Sequence, residues 1–199
     1  MIAAAVVAGG AGGGWWLALP IAWVPFALLV PWFFRDPNRP GPRAEHLILA
    51  PADGRVVDVT EVEEPDFLHE RARRVSIFMS VFDVHVNRHP VSGAVQYRHH
   101  RPGKFLNASL DKASVDNEQM SIGVKSPRGP VLTRQIAGLI ARRIVSDPRP
   151  GDVVRQGERL GIIRFGSRVD TFLPLHARVL VKRGDRTRAG TTVLGEWSS

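Results

Sequence analysis

Near the end of the chain, a glycine followed by a serine, Gly166-Ser167, lies between two short apolar stretches. Residues 157–163 and 169–173 have the pattern of short β-strands, which predicts a tight turn at the Gly-Ser pair. Glycine has no Cβ and tolerates a strained backbone, which leaves its carbonyl open to attack by the neighbouring hydroxyl. Because most Gly-Ser pairs are ordinary turns, a self-cleaving bond needs support from other residues.

Two further positions carry side chains suited to acid-base chemistry. His85 alternates with Asn87 and His89 in a strand-like segment, so these three polar side chains are predicted to share one face. Histidine titrates near neutrality and can remove a proton and later return it, although a solvated strand face gives the same pattern. Asp53 precedes Gly54, where an Asx turn is the alternative to a catalytic role.

A basic segment at residues 103–108 contains Lys104 and Asn107. Lysine binds a phosphate or carboxylate as a point charge and asparagine donates to either group, whereas a basic surface turn has the same composition. The histidines elsewhere in the chain lack the paired spacing of a metal site: His46, His69, His99, His100 and His176. We therefore expect no metal.

Five motifs support a reactive Gly-Ser bond by occurring together in a fixed order. They are Phe33-Phe34-Arg35-Asp36-Pro37, Pro51-Ala52-Asp53-Gly54, the segment Phe78 to Arg88, Gly103-Lys104-Phe105-Leu106-Asn107-Ala108, and Phe165-Gly166-Ser167-Arg168. In this order the motifs resemble the short form of phosphatidylserine decarboxylase, which is made as a proenzyme. The resemblance runs from about Phe33 to Leu194.

The resemblance implies that the Gly166–Ser167 bond breaks without hydrolysis, giving a β-chain of residues 1–166 and an α-chain of residues 167–199. Ser167 then becomes a pyruvoyl group, the built-in cofactor. In the family this ketone forms a Schiff base with the substrate amine, and neither a metal nor pyridoxal phosphate is needed. The implied product is phosphatidylethanolamine.

The resemblance also suggests roles for the candidate residues. Asp53 would orient a neighbouring histidine and stabilise its cation, and His85 would protonate the carbanion left by carbon dioxide. Long forms of the family carry two histidines three residues apart; aligned on Pro90, this chain has His85 at the first and Arg88 at the second. The base of self-cleavage is therefore open between His85 and His89, with His85 preferred.

The family carries the segment that contains Lys104 and Asn107 near its substrate. These two residues and His89 are therefore the candidates for substrate binding. The expected partners are a phospholipid, the membrane, and the enzyme's own two chains after cleavage, and a homodimer is left open.

The composition limits the alternatives. The 199 residues include no cysteine, which excludes disulfides, thiol catalysis and thiolate metal sites. A net charge of +8 favours an anionic partner, either nucleic acid or a negatively charged membrane. Tyr97 is the only tyrosine and four of the five tryptophans lie in the first 32 residues, so few rings remain for base stacking and we expect no nucleic acid.

Residues 1–34 contain no charged side chain and are predicted to be a membrane anchor. A helix over residues 15–34 would be roughly 30 Å long, about one hydrocarbon core, but prolines interrupt it at Pro20, Pro25 and Pro31. A single span, a hairpin and a re-entrant anchor therefore stay open, as does a buried core segment. Basic residues follow the apolar run and place the globular part on the cytoplasmic side of the cell membrane: Arg35, Arg39 and Arg43.

The predicted fold class is mainly β (α+β), a compact barrel-like β domain at residues 46–199 after the anchor at 1–34 and a linker at 35–45. Strands are predicted at 54–60, 74–79 and 93–98, and the stretch 131–145 favours strand over helix. Glycines at the corners of short strands mark the final third. The charged stretch 61–74 is predicted to be a loop.

Two other classes of protein share parts of this pattern. A non-enzymatic membrane-anchored β module would explain the apolar segment and the strands, but not the order of the motifs. A biotinyl or lipoyl carrier domain has similar glycine-cornered strands, but it needs a lysine at the exposed turn, where this chain has Gly166-Ser167-Arg168.

Overall fold

The structure is a computed structural model and describes residues 15–103, 117–138, 143–164 and 167–198, with the backbone alone for residues 15–22 and 26. The chain divides after Arg35 into two compact units, residues 1–35 and residues 36–199.

In the first unit a helix, α1, runs from Trp15 to Phe33. Several of its large apolar side chains are exposed, among them Trp23, Leu28 and Trp32. The Arg35 guanidinium lies 4.2 Å from the centre of the Trp32 ring. Among the residues that the structure describes, no helix is both long enough and apolar enough to cross a membrane. The anchor at residues 1–34 stays a prediction.

The second unit is built from β-strands. Its described residues form β1 (Leu47–Leu49), β2 (Gly54–Glu64), β3 (Glu70–Met79), β4 (Val86–Arg88), β5 (Gly93–Arg101), β6 (Gln119–Ser126), β7 (Gly129–Ile136), β8 (Ile144–Ser146), β9 (Val153–Val154), β10 (Arg159–Ile163), β11 (Ser167–Pro174), β12 (Ala177–Val179), β13 (Arg186–Thr187) and β14 (Val193–Trp197). The mainly β fold class is thereby confirmed.

The described strands pair into one large and two small sheets. The large sheet has the order β13-β2-β3-β11-β7-β6-β5-β9, and the small sheets have the orders β4-β10-β8 and β1-β14-β12. The large sheet ends in edge strands, β13 and β9. The predicted barrel-like domain is therefore a curled half-barrel and not a closed barrel. All the pairings that involve β11 are antiparallel.

One hydrophobic core joins all three sheets. One face of the large sheet, here called the inner face, supplies residues such as Ile77, Met79 and Val169, and the small sheets supply residues such as Ile48 and Leu160. Side chains of paired residues in neighbouring strands lie on the same face of a sheet. The register of β11 can therefore be used to assign each of its side chains to the inner or the opposite face.

The predicted loop at residues 61–74 is wrong, because most of this stretch is strand. β2 continues to Glu64 and β3 begins at Glu70, which leaves only a short connection. The charges that suggested a loop are paired across the two strands: Arg71 and Arg73 with Glu61, and Arg74 with Asp58. The other predicted strands are present, and the ambiguous stretch 131–145 contains most of β7 and the start of β8. Residues 139–142 of that stretch lie outside the described residues.

The segment predicted as a linker makes specific contacts from residue 36 onwards. Arg39 Nη2 donates to Asp53 Oδ2 at 2.6 Å, and Arg43 Nη1 donates to the Gly190 carbonyl at 2.7 Å. Asp36 accepts a hydrogen bond from Arg88. These contacts fix the chain beside the loop that contains Asp53.

Candidate active site

Ser167 is the first residue of β11 and lies between β3 and β7 in the large sheet. Its register partner in β3 is Met79, which places the serine side chain on the inner face. The side chain is fully buried, and its hydroxyl has no hydrogen-bond partner among the described residues. Gly166 lies outside the described residues. A dry hydroxyl without a fixed partner is suited to act as a nucleophile once a base removes its proton.

A buried ion pair holds the start of β11 from the opposite face of the sheet. Arg168 Nε donates to Asp170 Oδ1 at 2.6 Å, and Arg168 Nη2 donates to Ser76 Oγ at 2.7 Å. Arg168 and Asp170 are both about 1% exposed. A shift of β11 by one residue would bring these charges to the apolar inner face, where a buried charge is costly. The pair therefore fixes Ser167 in its register, a role that the sequence analysis did not assign.

Two carboxamides lie over the start of β11. Asn87 Nδ2 donates to Met79 Sδ at 3.6 Å, and Gln135 Nε2 donates to Asn87 Oδ1 at 2.8 Å. Both side chains are completely buried. Sequence analysis placed Asn87 on a polar face but gave it no role, and nothing in the sequence indicated Gln135.

His85 directly precedes β4 and is also completely buried. Its Nδ1 lies 2.9 Å from the carbonyl oxygen of Asp83. A carbonyl oxygen only accepts, so Nδ1 carries the hydrogen and Nε2 is the basic nitrogen of the neutral ring. The backbone carbonyl of His85 accepts from Ile163 N at 3.4 Å, which ties the histidine to the strand that ends shortly before the Gly-Ser pair.

Asp53 lies in the loop between β1 and β2. Its Oδ2 accepts from Arg39 and its Oδ1 accepts from Ala189 N at 2.8 Å. Burial raises the pKa of the Asp53 carboxyl above its usual range, despite the opposing effects of Ala189 N–H and Arg39, and the charge of Asp83 raises it further. The carboxylates of Asp53 and Asp83 are therefore close enough to interact electrostatically.

Strand register places Asp53 at the same end of the large sheet as Ser167. Arg55 in β2 and Arg168 in β11 both pair with Phe78 of β3, so the next rung is formed by the residues that precede them, Gly54 and Ser167. The two strands are two spacings apart, about 10 Å. Asp53 therefore flanks the end of the sheet at which the reactive serine lies.

His89 follows β4, and its backbone pairs with Gly157 and Glu158 at 2.8 Å. Neither ring nitrogen has a hydrogen-bond partner in the part of the chain that the structure describes. Burial lowers the pKa of His89 from 6.5 to about 4, although the charge of Glu158 opposes the shift. The ring is therefore neutral near pH 7.

The structure thus places Ser167, His85 and Asp53 around one end of the large sheet. Arg88, which stands where long forms have a second histidine, donates to Asp36 and to the carbonyl oxygens of Pro37 and Gly157. Lys104 and Asn107 lie outside the described residues. Within the described ranges, no group of three or more His, Cys, Asp or Glu side chains could hold a metal ion.

Comparison with known proteins identifies relatives over most of the chain. The family model described as phosphatidylserine decarboxylase matches residues 26–195. A phosphatidylserine decarboxylase proenzyme of Symbiobacterium thermophilum is 55% identical over 170 residues, 85% of this chain and 79% of the relative. The proenzyme of Magnetococcus marinus is 51% identical over 82% of this chain and 76% of its own length. That of Xanthobacter autotrophicus is 51% identical over 88% and 77%, respectively.

The lowered pKa of His89 predicts an acid-dependent loss of stability. In the unfolded chain this histidine takes up a proton near pH 6.5, whereas in the folded chain it does so only near pH 4. Between these pH values the unfolded state binds more protons than the folded state, so the free energy of unfolding decreases as the pH falls from 6.5 towards 4. The full decrease is about 3 kcal/mol.

We expect His89→Gln to flatten the decrease in unfolding free energy between pH 7.5 and pH 4.5 by roughly 2 to 3 kcal/mol, since glutamine does not titrate. Urea unfolding in a Ser167→Ala background keeps the chain intact and allows the comparison. His46→Gln, at an exposed histidine, should leave the decrease unchanged. An equal slope in the His89 variant and its parent would show that His89 is not buried as a neutral ring.

Proposed function

We propose that this chain, which belongs to the phosphatidylserine decarboxylase family, is a proenzyme that splits itself at Gly166–Ser167 and then converts phosphatidylserine to phosphatidylethanolamine. The family match covers most of the chain, and the relatives at 51 to 55% identity carry this name. The observation that carries the site assignment is the buried hydroxyl of Ser167, which has no hydrogen-bond partner among the described residues.

In the first step of self-cleavage, Ser167 Oγ attacks the carbonyl carbon of Gly166. The Oγ–C bond forms, the C–N bond breaks, and the proton of the hydroxyl passes to the nitrogen, which leaves an ester between the two residues. The Cα proton of residue 167 is then removed, the Cβ–Oγ bond breaks, and Gly166 departs as a carboxylate. Water replaces the nitrogen of the resulting dehydroalanine, ammonia leaves, and residue 167 carries a pyruvoyl group.

His85 is the preferred base for this sequence. Its Nδ1 is engaged with the Asp83 carbonyl, so Nε2 is the nitrogen that accepts a proton. Asn87, two residues further along the chain, contacts Met79, the register partner of Ser167, which supports a location of His85 near the same end of the sheet. The low pKa of His89 makes it a weaker base than an unperturbed histidine.

The surroundings of Ser167 fit a pyruvoyl group. Residue 167 lies on the inner face beside Met79 and Val169, and a small uncharged ketone can be buried there without a counter-charge. When formed, this ketone supplies the electron sink that decarboxylation of the amino acid headgroup requires. The chain's own residues exclude water, and His85 returns a proton to the carbon that has lost carbon dioxide.

Asp53 is proposed to influence His85 by way of its electrostatic interaction with Asp83. Its charge interacts with that of Asp83, whose carbonyl oxygen contacts the His85 ring. A carboxylate near a histidine ring stabilises the cation electrostatically when the ring holds a proton. The roles of His89, Lys104 and Asn107 in substrate binding stay predictions.

Attachment to the cell membrane through residues 1–34, with the catalytic unit on the cytoplasmic side, is also part of the proposal. Exposed apolar side chains on α1 support it, including Trp23, Leu28 and Trp32, because such groups are costly to leave in water. Tryptophan and arginine are favoured at the membrane surface, and Arg35 stacks on Trp32. The net charge of +8 favours anionic lipids.

Self-cleavage can be tested on the purified protein. Purified wild-type protein should consist of a fragment of residues 1–166 and a fragment of residues 167–199, and the second should resist N-terminal sequencing because a pyruvoyl group has no amine. The fragments should co-purify, since β11 pairs with β3 and β7, and β14 pairs with β1, across the break. Ser167→Ala should remain a single inactive chain by intact mass. Cleavage of that variant at the same bond would exclude the serine mechanism.

His85 is predicted to serve both chemical stages. His85→Ala should lose phosphatidylethanolamine formation and slow self-cleavage, each by roughly 10²- to 10⁴-fold, the usual effect of losing a general acid or base. Intact mass over time measures cleavage, and release of labelled carbon dioxide measures decarboxylation.

His89→Gln is the matched control for His85→Ala, because His89 is a second buried histidine in the same segment. It should undergo self-cleavage at close to the wild-type rate. Normal carbon dioxide release from His85→Ala together with an inactive His89→Gln would move the catalytic role to His89.

Membrane attachment is tested by deleting residues 1–34. After a high-salt wash the shortened protein should no longer sediment with vesicles that contain anionic lipid, while self-cleavage continues and serves as the check of folding. A high-salt wash separates the two possible forces, because attraction between exposed charges is screened within about 8 Å at physiological ionic strength and further in high salt. A shortened protein that stays on vesicles in high salt would contradict the anchor.

A further inference from the structure

Arg39 has no role in the mechanism above, although it contacts a residue that the mechanism uses. Its Nη2 donates to Asp53 Oδ2 at 2.6 Å, and the two side chains are only 13% and 12% exposed. Arg39 Nε, by contrast, is buried and has no hydrogen-bond partner in the described part of the chain. A two-pronged pair with the carboxylate would use Nε as well and would be stronger. The contact is therefore not the one that stability alone would favour.

The two oxygens of Asp53 are held by two segments that are themselves joined. Oδ2 accepts from Arg39, and Oδ1 accepts from Ala189 N at 2.8 Å. Arg43 bridges the two segments, since its Nη2 donates to the Arg39 carbonyl oxygen at 2.9 Å and its Nη1 donates to that of Gly190 at 2.7 Å. These contacts form a closed ring that runs from Asp53 through the two arginines and the loop backbone back to Asp53.

The place of Arg43 in this ring depends on a glycine. Gly157 has a positive φ of 80°, and a Cβ at this position would overlap the Arg43 guanidinium. Glycine adopts this backbone conformation at little cost and leaves the space in which the guanidinium lies. Arg39 is thus held through its backbone as well as through its side chain. The orientation of Asp53 therefore depends on a fixed ring of contacts and not on one flexible side chain.

Arg39 also favours the charged form of Asp53. Burial raises the pKa of Asp53 and the charge of Asp83 raises it further, whereas a backbone N–H and Arg39 lower it. Arg88 hydrogen-bonds through its backbone to the loop that contains Asp53, but its guanidinium binds Asp36. Among the described residues, Arg39 is therefore the cation that opposes the effects of burial and of Asp83.

We propose that Arg39 is a positioning residue for both reactions at residue 167, which holds the Asp53 carboxylate ionised and in one orientation. This inference rests on the proposed function, because Asp53 supports the histidine cation there. A carboxyl group that turns away or takes up a proton no longer stabilises this cation. Loss of Arg39 thus acts on the reactions through Asp53, without contact between Arg39 and the reacting atoms.

Arg39→Gln should slow self-cleavage and decarboxylation by up to about 10²-fold, the effect of a small misplacement of a supporting group. In the mature enzyme the loss should appear in kcat with KM nearly unchanged, because Arg39 is not proposed to bind the substrate.

Arg74→Gln is the matched control for Arg39→Gln. Arg74 forms a similar ion pair with Asp58 at 2.9 Å, and its Nε is also buried without a partner in the described ranges. It lies in β3 opposite Phe172, five residues beyond Ser167. This variant should therefore keep both rates close to those of the wild type.

The pH dependence separates a change in charge from damage to packing. Without Arg39 the pKa of Asp53 rises further, so more of the carboxyl is protonated at low pH. The rate of Arg39→Gln relative to wild type should therefore increase as the pH rises and Asp53 ionises. Arg39→Lys keeps the charge but not the rigid fork, so its smaller loss should be nearly independent of pH.

A double-mutant cycle tests whether Arg39 acts through Asp53. Asp53→Asn should slow both reactions, and adding Arg39→Gln should slow them little further, because the carboxylate through which Arg39 acts is already gone. Intact mass after a short pulse of cell-free synthesis measures self-cleavage, and labelled carbon dioxide released per cleaved chain measures decarboxylation. Urea unfolding of each variant in the Ser167→Ala background checks that it is folded.

The inference would be overturned by any of these results: a wild-type rate in Arg39→Gln while Asp53→Asn is slow, a rate ratio of Arg39→Gln that does not change with pH, additive losses in the double variant, equal slowing by Arg74→Gln, or a raised KM with unchanged kcat. The last result would make Arg39 a substrate-binding residue. If Arg39→Gln does not fold, Arg39→Lys and its combination with Asp53→Asn carry the test. A wild-type chain that never splits, or Asp53→Asn at the wild-type rate, would instead contradict the proposed function, so the two failures are distinguishable.

Discussion

The placement of β11 is the constraint on which the site depends. Ser167 is the first residue of β11, a strand that is hydrogen-bonded on both sides, to β3 and to β7. The side chains of β11 are buried along its whole length. A slip of one residue would exchange the faces of every side chain in this strand. The buried Arg168–Asp170 pair makes that slip costly, because it would put two charges into the apolar core.

A fixed and dry serine accounts for the character of its neighbours. Charges near Ser167 on the inner face would be costly, and the polar groups found there are neutral: a hydroxyl and two carboxamides. Asp53, by contrast, stands at the margin of the core, where Arg39 and Ala189 N–H offset part of its burial. The charged groups are thus kept around the reactive bond, while the groups that face it are neutral.

Ser167, His85 and Asp53 were proposed from short motifs because these motifs, in their order, resemble a known family, and their catalytic roles stay predictions. The large β content follows from alternation and glycine punctuation. Contacts between distant segments were not accessible, because nothing in the sequence near Gln135 indicates that it meets Asn87, 48 positions earlier. The same limit explains the error at residues 61–74. The charged side chains of this stretch remain partly or largely exposed, but they form ion pairs across β2 and β3, which are visible only when the strands are aligned.

The location of the break also explains how a protein cut in this place can keep its structure. The proposed α-chain, residues 167–199, supplies β11 to the middle of the large sheet, β13 to its edge beside β2, and β14 to the small sheet beside β1. Its contacts with the rest of the molecule are thus spread over two sheets and one core, so the two chains separate only if the core is opened. Most of the hydrophobic stabilisation is therefore retained when the covalent bond is lost. A strand fixed at so many points can lose its connection to residue 166 without moving residue 167, which is the requirement for a cofactor made from the chain itself.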